Sequence, residues 1–217
     1  MIFNILSVFR ELIKPSLKYG VLSKAIKKNK IKVNIFSYSD YLNDGNRLDD
    51  KQFGGEPGMV IKYQNASRAI DAIKKSNPKT KVIFLTPKGK KLDNNLAKEM
   101  SKMGNISIIC GRYEGFDERI IDQYSDLEVS IGDYIVSGGE YPAVILMDSI
   151  SRMVKGVIGN EESVENDSLS NSLLKHPVYT RPAELKVGKV PKLITSGSHE
   201  KIKNFNRQES ILSTLKR

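Results

Sequence analysis

Five short apolar runs, rich in β-branched residues, constrain this chain most strongly. They lie at residues 2–8, 32–37, 81–85, 106–110 and 127–131. Their hydrophobicity is nearly continuous and does not alternate, which is typical of parallel strands buried on both faces. None of them approaches the roughly 20 apolar residues that a membrane-spanning helix needs. The runs therefore predict a mostly parallel sheet in a protein that does not span a membrane.

Helical patterns separate the predicted strands. Two apolar stripes repeat at helical spacing, one at Ala66, Ala69, Ile70 and Ile73 and the other at Leu92, Leu96, Met100 and Met103. A longer helix is predicted to open at Pro142 and to run to about Val154, because proline at the first helical position loses no hydrogen bond. This helix is apolar almost all round, which predicts burial in the core or in a subunit interface. Strands that alternate with helices predict an α/β fold with crossover connections.

Positive charge is concentrated near the C-terminus. The chain carries a net charge of +10, and residues 174–217 hold ten Lys or Arg against three Glu. A helix is predicted there after an N-terminal cap at Ser198. Its apolar face consists of Ile202, Phe205, Leu212 and Leu215. Such an excess of cations favours polyanionic partners, either nucleic acid or an acidic membrane face.

A polar segment separates the basic region from the rest of the chain. Residues 159–173 contain four acidic side chains among several Ser and Asn, which predicts a linker. The predicted organisation is an α/β domain at 1–158, this linker, and a small basic helical domain at 174–217. The single Cys, and an N-terminus without a basic leader or a cleavage site, favour a cytoplasmic protein.

Four glycine-rich loops lie at residues 49–59, 86–92, 110–119 and 130–142. Ligands of open α/β sheets bind beyond the carboxyl ends of the strands, where glycine lets the backbone come close. A single loop of this kind is usually an ordinary tight turn, but the set predicts a ligand site. No loop matches the dinucleotide fingerprint or the P-loop, because residues 89–91 lack the upstream glycine and the Ser or Thr.

Six segments carry a family resemblance, namely FGGEPGM, CGRYEGFDER, SIGDYIVSGGEYP, SRMVKGVIG, HPVYTRP and GSHEKI. In this order they resemble the bacterial tRNA (guanine-N1)-methyltransferases of the trefoil-knotted SPOUT superfamily, from the first strand to the last helix. The resemblance implies a homodimer with its active site at the subunit interface, and S-adenosylmethionine bound in a bent conformation inside a deep knot. It also implies methylation of tRNA at N1 of guanosine 37, just 3′ of the anticodon, and a Mg2+ requirement.

The resemblance also implies site residues. Cofactor contacts fall on Leu85, Thr86, Pro87, Gly89, Gly111, Glu114, Ser130, Ile131, Gly132, Tyr134, Val136, Gly138, Gly139 and Pro142. Contacts with a flipped guanine fall on Asp49, Phe53, Gly54, Gly55 and Gly58. Clustered charge points to seven cations as partners of tRNA phosphates, namely Arg181, Lys186, Lys189, Lys192, Lys201, Lys203 and Arg207. No residue is assigned to a metal, because one Cys and two His are too few for a self-contained zinc site.

Methyl transfer to guanine requires help from the protein, because N1 of the neutral base carries a proton. A base must remove that proton, and a cation or hydrogen-bond donor must stabilise the negative charge that spreads onto O6. The resemblance points to Asp167 as the base and to Arg152 as the donor. From the residues alone, Asp167 is an ordinary solvated linker acid, and Arg152 is an ion-pair partner of Asp148 one turn earlier.

Two further side chains have competing interpretations. Glu114 either attracts the sulfonium of the cofactor, or is an acid at a helix N-terminus or an ion-pair partner of Arg112 or Arg119. Cys110 is either a nucleophile, as in some RNA methyltransferases, or a core residue. The core interpretation is favoured, because guanine N1 needs no covalent intermediate and a free Cys at the end of a strand is usually buried. The two histidines are expected to be structural or phosphate-facing.

The chain departs from the family pattern at three places. Glu56 stands where a glycine is usual, Phe205 and Asn206 stand where Trp and Arg are usual, and Lys155 replaces a proline. Two other functions stay open on the sequence, a ribose 2′-O-methyltransferase of the same fold and a non-catalytic RNA-binding protein. The presence of both proposed catalytic residues disfavours the second.

Overall fold

The structure, a computed structural model, describes residues 1–43, 46–159, 167–169 and 172–217. The chain divides into two units, Met1–Gly159 and Asn160–Arg217. Most of the predicted linker at 159–173 lies outside the described residues. Within the described ranges, no helix is long and apolar enough to cross a bilayer.

A five-stranded parallel sheet forms the centre of the first unit. The strands of this unit are β1 (Ile2–Ser7), β2 (Lys32–Ser37), β3 (Asp49–Lys51), β4 (Met59–Ile61), β5 (Lys81–Lys91), β6 (Asn105–Ile109) and β7 (Leu127–Ser130). The sheet has the order β2-β1-β6-β5-β7, and every neighbouring pair is parallel. The predicted α/β fold with a mostly parallel sheet is confirmed. Strands β3 and β4 form a separate antiparallel hairpin.

Helices cover both faces of this sheet. They are α1 (Gly20–Lys27), α2 (Tyr63–Ser76), α3 (Asn94–Ser101), α4 (Glu118–Tyr124) and α5 (Glu140–Arg152). Phe3 and Ile5 of β1 belong to one core cluster with residues of α1, α3 and α5. The next residue, Leu6, belongs to a second cluster with residues of α2 and α4. Successive side chains of a strand point to opposite faces, so burial on both sides explains why the apolar runs do not alternate.

Strand β5 extends further than its predicted end at residue 85. Leu85 pairs with Val129 of β7, and after an irregularity Lys90 pairs with Val129 again. Residues 86–89 therefore leave the ladder and return to it. The prediction of a short strand is wrong at this end because Pro87 and Gly89 usually terminate strands, whereas here they occupy the excursion.

Two helix boundaries also differ from the predictions. Helix α5 begins at Glu140, with Gly139 as its N-cap, so Pro142 occupies the third helical position and not the first. Proline is tolerated there because the N–H groups of the whole first turn lack intrahelical partners. Helix α3 ends at Ser101, so Met103 lies beyond it and is exposed.

Helix α5 is buried along one side only. Leu146 and Ile150 are fully buried, whereas Tyr141 and Ile145 on the other side are exposed. Helices α1 and α4 and the β3–β4 hairpin were absent from the sequence predictions. The two helices have only eight and seven residues, and β3 consists of three charged residues.

The described part of the second unit contains a short hairpin and one long helix. The hairpin joins β8 (Glu184–Leu185) to β9 (Gly188–Lys189), and the helix is α6 (His199–Leu215). Ser198 is the N-cap of α6 as predicted, but its side chain makes no capping hydrogen bond. The N–H of Leu174 donates to Oγ1 of Thr214, 2.9 Å away, which ties the start of the predicted basic domain to the end of α6.

Candidate active site

A cavity of about 430 Å³ opens at the carboxyl edge of the sheet. Its walls come from the excursion of β5, from the loop after β6 and from the loop after β7, which is the edge where α/β sheets bind ligands. The volume lies within the range of small-molecule sites. The predicted cofactor residues that line it are Leu85, Thr86, Pro87, Gly111, Glu114, Ser130, Ile131, Gly132, Tyr134, Val136, Gly138, Gly139 and Pro142.

Gly89 is the one predicted cofactor residue that does not line the cavity. It packs against β7 instead, where an added Cβ would lie 2.4 Å from the backbone N of Val129. The structure therefore explains this glycine by contact between neighbouring strands. Its role differs from that of the glycines in the walls.

Close contacts between loops require two glycines in the wall. An added Cβ at Gly138 would lie 2.3 Å from Nε of Arg112, and one at Gly139 would lie 2.7 Å from Cα of Cys110. The N–H of Gly139 donates to the carbonyl of Gly111 at 2.9 Å. The loops after β6 and β7 thus lie directly against each other. With apolar walls such as Leu85 and Val136, this cradle fits a nucleoside-sized cofactor.

The first glycine-rich loop is attached to the cavity through the β3–β4 hairpin. The N–H of Ile61 donates to the carbonyl of Gly115 at 2.9 Å, and the N–H of Glu114 donates to the carbonyl of Met59 at 2.9 Å. An added Cβ at Gly58 would lie 2.4 Å from Cγ of Glu114. The loop that is predicted to meet guanine therefore contacts a residue that lines this cavity.

The predicted guanine contacts in this loop differ in exposure. Phe53 is 99% exposed, and Gly54 and Gly55 are exposed beside it. Asp49 is buried in β3, and its Oδ2 lies 3.3 Å from Nη2 of Arg47. Phe53 is thus available to a ligand, whereas the carboxylate of Asp49 already has a partner.

Glu114 does not pair with either arginine that the sequence suggested. Arg112 pairs with Glu140 at 3.0 Å, and Arg119 pairs with Asp117 at 2.6 Å. The hydrogen bonds from Arg119 lower the pKa of Asp117. Glu114 is nevertheless one of the residues that line the cavity.

The two predicted catalytic residues belong to different units. Arg152 is the last residue of α5 in the first unit. Asp167 lies in the second unit, where its Oδ1 accepts a hydrogen bond from the N–H of Ser168 at 3.0 Å. The predicted phosphate contacts Arg181, Lys201 and Arg207 are all exposed in the second unit.

Cys110 is a core residue. It is fully buried at the end of β6, and burial raises the pKa of its thiol well above the ordinary value, with the Glu140 carboxylate adding to the effect. A raised pKa disfavours the thiolate that a nucleophile needs. The structure therefore agrees with the core interpretation. In the part of the chain that is described, no three His, Cys, Asp or Glu side chains form a group that could hold a metal.

Sequence reasoning missed the pair of Arg112 and Glu140. Arg112 was considered only as a partner of Glu114, and Glu140 was not considered at all. One signal was available, because Glu140 is the one charged residue in the first eight positions of an otherwise apolar helix. A charge there needs a buried partner.

Comparison with known proteins shows which family the chain resembles over its whole length. A family model described as tRNA (Guanine-1)-methyltransferase TrmD matches residues 1–217. A protein of Caldicellulosiruptor saccharolyticus named tRNA (guanine-N(1)-)-methyltransferase is 47% identical over 100% of this chain and 88% of its own length. Proteins of the same name from Thermosipho africanus and Hahella chejuensis are 44% and 42% identical, over 100% and 99% of this chain and 88% and 84% of theirs.

Proposed function

The chain belongs to the tRNA (guanine-1)-methyltransferase family, and from this membership we propose that it methylates tRNA at N1 of guanosine 37, with S-adenosylmethionine as the methyl donor. One observation carries the proposal to this chain: thirteen of the fourteen expected cofactor residues line a single cavity. Apolar walls and closely packed glycine loops suit an adenosine moiety, and the Glu114 carboxylate suits a sulfonium charge.

The protein's part in the chemistry is proton removal and charge stabilisation. When bound, S-adenosylmethionine supplies an electrophilic methyl group that needs little activation. Asp167 accepts the proton from N1 of guanine, which leaves the N1 lone pair available as the nucleophile. The guanidinium of Arg152 donates hydrogen bonds to O6, where negative charge develops.

RNA recognition is proposed to involve both units. The target guanine is flipped out of its stack toward the loop of Phe53, Gly54, Gly55 and Gly58, with Asp49 behind that loop. Arg181, Lys201 and Arg207 neutralise phosphates. Residues 1–158 form the cofactor domain, 159–173 a linker that brings the base, and 174–217 the RNA-binding domain.

Family membership supports three further proposals. The first unit is threaded as a trefoil knot. The enzyme is a cytoplasmic homodimer with the active site at the subunit interface. The exposed Tyr141 and Ile145 of α5 support this proposal, because a second copy could cover them. The third proposal is that the reaction requires Mg2+. The described residues contain no group of three His, Cys, Asp or Glu side chains that could hold the ion, so no ligand in this chain is assigned to it.

A methyl-transfer assay with nucleoside analysis tests the proposed function. The purified chain, S-adenosylmethionine and an unmodified tRNA transcript with guanosine 37 should yield 1-methylguanosine, and a transcript with adenosine 37 should not. A 2′-O-methylated nucleoside would favour the ribose methyltransferase. Intact tRNA binding without any transfer would favour the non-catalytic RNA-binding protein.

Variants of the two catalytic candidates test their roles. Asp167→Ala and Arg152→Ala should each lower the rate of transfer at least about 100-fold, while the affinity for S-adenosylmethionine stays within about twofold. Asp148→Ala is the matched control, because it would reproduce the loss only if Arg152 acted through an ion pair with Asp148. Near-normal turnover in either variant would remove that residue from the mechanism.

A further inference from the structure

The carboxylate of Glu140 is the most deeply buried charge next to the cavity. Its side chain is 0% exposed. Oε1 accepts hydrogen bonds from Oγ of Ser7 at 2.9 Å and from the N–H of Phe9 at 3.3 Å. Oε2 accepts from Nε of Arg112 at 3.1 Å and lies 3.0 Å from its Nη2. A buried carboxylate with four donors around it is satisfied, and the proposed chemistry gives it no task.

Arg112 connects this carboxylate to the loop after β7. Its Nη1 donates to the carbonyl of Ser137 at 3.1 Å. Its guanidinium lies over the ring of Phe9, 4.7 Å from the ring centre, and leaves no room for a side chain at Gly138. One side chain therefore joins the loop after β6, the end of β1, the start of α5 and the loop at 131–139.

These contacts hold a wall of the cavity in place. Ser137 and Gly138 line the cavity, and so does Arg112, whereas Glu140 does not. The planar guanidinium fixes direction as well as charge, which a flexible ammonium does not. An effect of Glu140 on a ligand in the cavity must therefore pass through the loop that Arg112 holds.

We propose that Arg112 and Glu140 are positioning residues that hold the 131–139 loop in the conformation that receives the cofactor. This inference rests on the proposed function, since it concerns the site for S-adenosylmethionine. It assigns Arg112 to the geometry of the loop and not to a direct charge contact with the ligand.

Two conservative variants test the proposal. Glu140→Gln keeps the shape but sets an NH₂ group against two donors, and Arg112→Lys keeps the charge but loses the bond to Ser137. Each should raise the Kd for S-adenosylmethionine about tenfold, the loss expected for one charge-assisted hydrogen bond. Without cofactor, amide hydrogens of residues 131–139 should exchange faster in both variants than in the wild type.

The matched control is Arg119→Lys. Arg119 lies in the first turn of α4 and also pairs with a carboxylate, Asp117 at 2.6 Å, but its side chain is 71% exposed and does not line the cavity. This variant should leave both the Kd and the exchange of 131–139 unchanged. If Glu140→Gln fails to fold, Ser7→Ala removes a single bond to Oε1 and should shift both readouts in the same direction by a smaller factor.

Four results would overturn the proposal. A raised Kd in Arg112→Lys with a normal Kd in Glu140→Gln would mean that Arg112 contacts the cofactor directly. A lower melting temperature with unchanged Kd and loop exchange would mean a purely structural pair. Wild-type protein that binds no S-adenosylmethionine would overturn the proposed function as well, whereas normal wild-type binding with unaffected variants would overturn this inference alone.

Discussion

Gly58 differs from the other glycines of its loop in what surrounds it. Gly54 and Gly55 have positive φ angles of 93° and 80°, and an added Cβ at either would meet nothing within 4 Å. Gly58 has a φ of 112°, and its Cβ would collide with Cγ of Glu114. The first two positions require glycine for the turn alone. Gly58 requires it for the turn and also for its close contact with Glu114, which lines the cavity.

Replacing Gly58 should therefore cost more than replacing a glycine in open space. Gly58→Ala should lower the free energy of unfolding by about 1–3 kcal/mol, because it adds a strained backbone and displaces Glu114. It should also raise the KM for tRNA. Denaturant titration and steady-state kinetics measure the two effects.

Gly104→Ala is the control for backbone strain alone. Gly104 has a φ of 75° with nothing within 4 Å of its Cβ position. It should lose less stability than Gly58→Ala and keep its KM. Equal losses in the two variants would show that contact with Glu114 contributes nothing.

Cys110 should not react in the folded protein, and its ionisation should affect only the pH dependence of the free energy of unfolding. Because burial raises its pKa, the folded thiol keeps its proton at pH values where an unfolded thiol, with a pKa of about 8.5, has lost it. The contribution of Cys110 to stability is therefore complete below that value and declines as the pH rises above it. A thiol reagent at pH 8 should label Cys110 only after denaturation, and Cys110→Ala should retain methyl transfer within about threefold. Rapid labelling of the native protein with loss of activity would contradict the core interpretation.

Among the elements, β5 and β7 matter most for the cavity. The excursion at residues 86–89 supplies one wall, and pairing of Leu85 and Lys90 with Val129 fixes both of its ends. Gly89 allows the returning chain to approach β7 closely. The two strands therefore determine where the wall stands.

Gly89→Ala should separate the returning part of β5 from β7. The obstacle is the backbone of Glu128 and Val129, which cannot rotate away, so we expect a loss of about 1–3 kcal/mol in unfolding free energy. The affinity for S-adenosylmethionine should fall with it, as isothermal titration calorimetry would measure. The neighbouring Lys90→Ala removes only an exposed pair with Glu99 at 3.8 Å and should change stability by less than about 0.5 kcal/mol. A Gly89→Ala protein as stable as Lys90→Ala would refute this account of the glycine.

Elements whose sequence pattern reflects burial were predictable, and elements fixed by distant contacts were not. The strand at 32–37 was predicted with its observed bounds because five of its six positions are at least partly buried in the sheet. The end of β5 was not, since its continuation depends on β7, which lies some 40 residues further along the chain. The glycine loops around the cavity were predictable because each is a local pattern in the sequence. The pair of Arg112 and Glu140 was not, because it joins residues 28 positions apart and leaves no local pattern.

At the scale of the whole molecule, positive charge is concentrated in the C-terminal part of the second unit. Residues 174–217 carry ten cations and three acids. Arg181, Lys201 and Arg207 are exposed there, and α6 has no buried residue. An exposed, cation-rich segment suits binding to a polyanion, with an affinity that depends on salt.

Removing these three cations should weaken the salt dependence of tRNA binding. Each of Arg181→Ala, Lys201→Ala and Arg207→Ala should reduce the slope of log K against log salt concentration by about one. Lys98→Ala, at an exposed position on α3 in the first unit, should leave the slope unchanged. Filter binding over a range of salt concentrations gives the slopes. If all three variants kept the wild-type slope, other residues would have to contact the phosphates.

The irregular pairing of β5 has a consequence for how this protein can vary. Since the chain leaves and rejoins its neighbour opposite the same residue, Val129, insertions or deletions at positions 86–88, which spare Gly89, should leave the register on either side intact. The rim can thus change length without disturbing the scaffold. Variants that accept donors with bulkier alkyl groups should be sought first among such length changes.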